Sequence, residues 1–139
     1  FMNGVLKYTF NASINQGPSE SIIEKMDMNT YDVVNIHVIK STNKEISLLP
    51  DSQIGIKFFC ISSDIYANKE KNPPSNAKLT YVIKSNAATN PPDISIDLDR
   101  PHVLIGKSIL DTVGNFSKLT IKNNIDSDVN VKIMIGRDV

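Results

Sequence analysis

Residues 117–139 read SKLTIKNNIDSDVNVKIMIGRDV. Leu119 and Ile121 alternate with Thr120 and Lys122, and the alternation resumes at Val129, Val131, Ile133 and Ile135. Side chains on a strand point to opposite faces in turn, so each run is a half-buried strand. Between them lies Asn123-Asn124-Ile125-Asp126-Ser127-Asp128, a cluster of turn-forming residues. Two such runs around such a cluster predict a closing β-hairpin. After Ile135 the alternation lapses, and Gly136-Arg137-Asp138 are expected to leave the sheet, which makes Arg137 a candidate contact residue.

The same pattern extends upstream. Leu6, Tyr8, Phe10, Ala12 and Ile14 form a strand closed by Gln16-Gly17-Pro18. Residues 19–28 fit either one helical turn or an edge strand, and the edge strand is the better fit. DVVNIHVIK at 32–40 has the composition of a central strand, while Ile46 and Leu48 begin a short one stopped by Pro50-Asp51. In the strand at 53–61, Gly55 marks a bulge or a close backbone approach. Residues 78–84, the row Ile94, Ile96, Leu98 and the short run Val103-Leu104-Ile105 complete the series, and residues 111–115 turn the chain. Eight or nine short strands separated by Pro, Gly and Asn predict an all-β antiparallel sandwich, jelly roll-like or immunoglobulin-like.

The 139 residues are expected to form one domain, 1–139, which would bury roughly two-thirds of its unfolded surface. Fifteen basic and fifteen acidic residues leave a formal net charge of zero. Phosphate-driven binding needs a basic excess or stripe, so nucleic acid is not an expected specific partner. No run of ~18 apolar residues suggests a membrane span.

The motifs that carry chemistry are weak. Gly106-Lys107-Ser108 imitates the end of a P-loop, but Pro101 stands where the first glycine belongs. Asp93, Asp97 and Asp99 share one strand face and read as a solvated edge rather than a calcium site. His37 and His102 are the only histidines and lack zinc-ligand spacing. Cys60, the single cysteine, falls in step with Ile54, Ile56 and Phe58, which predicts a buried, inert thiol; His37 is likewise expected to be packed. No catalytic residue, metal or cofactor is therefore expected. Two polar loops at 62–76 and 86–93 are the recognition candidates, with Tyr66, Asn68, Lys69 and Asn90 as contact residues.

The stretch Leu98-Asp-Arg-Pro-His-Val-Leu-Ile-Gly-Lys107, the strand Leu119-Thr-Ile-Lys-Asn123 and the ending at 131–138 resemble small β-sandwich structural proteins of phage and virus particles. The resemblance covers about forty residues. It implies a non-enzymatic virion component (capsid, decoration or tail) that assembles through β-edges and loops with copies of itself and other particle proteins. The alternative is a carbohydrate-binding or adhesin-type module with Tyr66, Asp97 or Asp99 at the ligand. The absence of Trp weighs against that alternative, because sugar platforms favour exposed aromatics.

Overall fold

The computed structural model describes residues 4–48, 55–67, 78–84, 93–113, 116 and 118–138. They form ten strands: β1 (Gly4–Ser13), β2 (Ser19–Met28), β3 (Thr30–Val38), β4 (Asn43–Ser47), β5 (Ile56–Ser63), β6 (Leu79–Ile83), β7 (Ile94–Asp97), β8 (His102–Ile105), β9 (Lys118–Asn123) and β10 (Val129–Arg137). The edge strand expected at 19–28 is β2. The count is ten rather than eight or nine, and the short runs read at Ile94–Leu98 and Val103–Ile105 are β7 and β8.

Eight strands make two antiparallel sheets, ordered β3-β10-β5-β8 and β4-β9-β6-β7. Strand β3 pairs with β10, β4 with β9, β5 with β8 and β6 with β7, so the chain is one long antiparallel ribbon folded back on itself. The ribbon rolls up when β10 also pairs with β5, and β9 with β6. This nesting is a jelly roll, which decides between the two sandwich types.

The closing hairpin does not form. Strands β9 and β10 lie in different sheets, and residues 124–128 carry the chain across the sandwich. Asn123 holds that crossing. Its fully buried amide donates to the Val38 and Ser127 carbonyls at 3.2 and 2.9 Å and accepts from the Ile125 N–H at 3.0 Å. The polar cluster therefore builds an arch, with Ile125 tucked into the core, instead of a two-strand turn.

The alternation also continues past Ile135. Gly136 points outward and Arg137 inward, where Arg137 is fully buried and its Nη2 donates to the Phe116 carbonyl at 2.8 Å. Opposite this point β5 bulges: Gly136 pairs with Phe58 but Arg137 pairs with Ile56, so Lys57 is the extra residue. The bulge puts Ile56, Phe59 and Ile61 in the core together and turns Phe58 and Cys60 to the other face. Cys60 is thus half-buried on the outer face, out of step with Ile56. Gly55 is the predicted close approach. It has φ of 77°, and a Cβ there would lie 1.9 Å from the Asp138 carbonyl oxygen.

Between the sheets, Phe59 packs edge-on against Phe116 and tilted against Tyr81, surrounded by Leu119, Ile121, Ile133 and Ile135. A short helix, α1 (Lys107–Val113), occupies the segment where the sequence suggested only a turn. Leu110 anchors it in the core, and seven residues are too few for a 3.6-residue period to show. The strand expected to be central, β3, is an edge strand, with Val33 and Ile39 exposed. The doubly paired strands are β10, β5, β9 and β6.

Candidate functional site

Strands β1 and β2 belong to neither sheet. They pair only with each other, from Gly4↔Met28 to Ser13↔Ser19, and form a projecting arm. Ten paired positions at 3.4 Å per residue make it about 34 Å long. Its tip closes with hydrogen bonds from Ile14 N–H to the Pro18 carbonyl and from Gly17 N–H to the Ile14 carbonyl. Register puts Leu6/Met26, Tyr8/Glu24, Phe10/Ile22 and Ala12/Glu20 on one face. Tyr8 donates to the Glu24 carboxylate across that face. The other face carries Val5/Asp27, Lys7/Lys25, Thr9/Ile23, Asn11/Ser21 and Ser13/Ser19 and is the more polar of the two. The first face is the more apolar, yet among the described residues it has no second layer: Phe10 is 53% and Ile22 38% exposed.

The root of the arm is fixed to the body. Met28 is buried over Gly136, whose missing side chain leaves the space, and Gly4 sits against the Tyr31 ring. Lys57 joins the Asp138 carboxylate and donates to the Asp27 carbonyl at 3.1 Å, while the Asn29 N–H donates to Asp138 at 3.1 Å. The bulge residue Lys57, the residue that follows β10 and the arm thus meet at one point. Hydrogen bonds from Lys57 and from the Asn29 backbone hold the Asp138 carboxyl below its ordinary value.

Beside this root lies the outer face of the β3-β10-β5-β8 sheet. The solvent face of an antiparallel sandwich is ordinarily polar. Here Val33, Met134, Cys60 and Val103 are register partners across all four strands and make an apolar row, with Val33 44% and Val103 51% exposed. The next row, Asn35, Lys132 and Ser62, is polar. Beyond it opens a depression of about 460 Å³ lined by His37, Ser63, Asp64, Asn130 and the polar row. Burial pushes the Cys60 thiol up, and Lys132 only partly offsets this, so the thiol is not activated.

His37 is exposed at this end, not packed as expected, because it points to the outer face of the sheet while its neighbours Ile36 and Val38 point into the core. Its ring nitrogens face the Asn130 amide oxygen at 2.9 Å and the Asp128 carboxylate at 3.3 Å. Both partners are acceptors, so the imidazolium satisfies both and the pKa is raised. Asp64 accepts from the Asn130 backbone and side chain at 3.0 and 2.8 Å. Desolvation pushes Asp64 up, but those hydrogen bonds outweigh it and its carboxyl stays below the ordinary range.

A second polar chain runs from Tyr81 through His102 to Asp99, at 2.9 and 3.1 Å. The carboxylate on Nε2 makes that nitrogen the donor, so Nδ1 accepts from the phenol. Burial raises the Tyr81 pKa to about 12; the phenol keeps its proton and serves as a structural donor rather than a base. Asp93, Asp97 and Asp99 do not converge. Each pairs with a different partner: Lys84, Lys78, and His102 with Arg100.

Of the contact residues expected from sequence, Tyr66 lies on the 3₁₀ turn Asp64–Ala67 that follows β5. Asn68, Lys69 and Asn90 lie outside the described residues. Arg137 is in the core rather than at the surface, because Gly136 keeps the alternation in step and turns it inward. The arm and the apolar row went unread because alternation shows that one face is apolar, not whether anything covers it.

No family model matches the chain, and no curated protein matches it. Among solved structures, the crystal structure of Yersinia pseudotuberculosis-derived mitogen (YPM) is similar to this chain. The match has 16% identity and a TM-score of 0.47, and it covers 78% of this chain and 86% of that one.

Proposed function

We propose that this protein is a non-enzymatic assembly subunit, a virion or phage-particle component that works by contact with copies of itself and with other particle proteins. The observation that carries the assembly reading is the β1–β2 arm, whose apolar face holds Phe10 and Ile22 in solvent. A two-stranded hairpin is marginal in water without a packing partner, and exposed apolar surface of this kind marks an interaction site. The particle reading rests on the C-terminal resemblance and on fold analogy, since jelly rolls serve in capsids. Sedimentation of the intact protein at tens of micromolar tests it: self-association is expected, with return to monomer in Phe10→Glu/Ile22→Glu. A monomeric intact protein would remove the assembly reading.

The second reading is a carbohydrate-binding module, favoured by the depression lined by His37, Asp64 and Asn130. A glycan array with and without calcium tests it, and silence in both conditions would remove it.

A further inference from the structure

We propose that the apolar row Val33–Met134–Cys60–Val103 is the seat for the β1–β2 arm of a second copy of this chain, exchanged reciprocally in a pair. This rests on the assembly reading above and names its contact. Area is the first argument. An arm about 34 Å long and about 10 Å wide presents ~340 Å² on one face. Two arms packed only on each other cover about 700 Å² in total, short of the ~1,000 Å² a specific interface needs, whereas two arms each laid on a partner's sheet cover about 1,400 Å².

Position is the second argument. The arm roots on the same face, with Met28 over Gly136 one row from the seat, so arm and seat are contiguous parts of one surface. A two-fold pair requires such self-complementarity.

Charge is the third. On the arm, Glu20 lies two residues from Ile22 on the apolar face. On the sheet, Lys132 lies two residues from Met134 on the same strand face and makes no side-chain hydrogen bond among the described residues. Seating Phe10 and Ile22 on the apolar row brings Glu20 to Lys132.

The test uses the native Cys60. Ile22→Cys protein, oxidised at tens of micromolar, is expected to give a covalent dimer that Ile22→Cys/Cys60→Ser does not. A dimer that persists in the double variant joins arm to arm and overturns the proposal; a ladder of longer chains overturns the reciprocal pair. Sedimentation provides the second measurement. Val103→Glu is expected to weaken association about a hundredfold or more, because it sets a charge into an apolar interface contact. Lys132→Glu is expected to weaken it about fivefold, and Glu20→Lys/Lys132→Glu to restore it. An intact protein that associates but ignores Val103→Glu and Lys132→Glu overturns this contact and leaves the assembly reading standing. An intact protein that stays monomeric overturns both.

Discussion

The β1–β2 arm and the eight-stranded body obey the same alternation and reach opposite states. In the body, each inward row meets a facing sheet: Phe59, Leu119, Ile121, Ile133 and Ile135 are all buried. In the arm, Phe10 and Ile22 pair across one face with no facing layer among the described residues, and Ile23 on the other face is 77% exposed. The difference lies in whether a second layer exists. Burial of apolar area drives folding, so the body is self-sufficient and the arm is held only at its root until something covers it.

The largest effect expected to separate the two regions comes from matched truncations. Phe59→Ala removes the ring that joins Phe116 and Tyr81 and should cost about 3–5 kcal/mol in denaturant unfolding. Phe10→Ala should stay within ~0.5 kcal/mol of the parent under conditions where the protein is monomeric. Equal costs would mean that arm and body unfold as one unit and would break the contrast.

Next is the arch. Asn123→Ala deletes three hydrogen bonds to buried backbone groups, at about 1 kcal/mol each, so a loss of about 2–3 kcal/mol is expected, with the arm's amide exchange unchanged.

A smaller change should move the arm instead. A Cβ on Gly136 would fall 1.8 Å from the Met28 sulfur, so Gly136→Ala must unseat Met28. About 1–2 kcal/mol is expected, with faster amide exchange concentrated in β1 and β2. Faster exchange confined to β9 and β10 would show that Met28 does not anchor the arm.

The smallest effect is acid release of the root. The Asp138 pKa is lowered from 3.8, so its stabilising contribution is complete above 3.8 and is lost as pH falls through the lowered folded value. NMR relaxation of the arm amides should report increasing motion as pH falls below about 3.8 and through the lowered folded value. Asp138→Asn, which cannot ionise, should remove that pH dependence.

Much of the fold is legible in the chain, and the reasons differ by element. The alternation of Leu6 to Ile14, or of Val129 to Ile135, marks strands because the strand period is two. Helix α1 escapes that reading because its seven residues span barely two turns, too few for a helical period to show. Cys60 is misplaced by counting because the Lys57 bulge reverses the faces partway along β5. The candidate site was the least legible part. Phe10 and Ile22 look like core residues in sequence, and Val33 and Val103 look like strand residues.

From the sequence alone follow the strand segments, the all-β class, a bulge or close approach at Gly55 and the apolar side of every strand without a bulge. Each depends on neighbours two residues away or on one backbone conformation. Only the tertiary structure decided that β9 and β10 part company at Asn123, that β3 lies at an edge, that Arg137 turns into the core and that the arm stands uncovered. Those outcomes depend on which distant segment supplies the hydrogen bonds and the opposing layer, and a period of two carries no information about either.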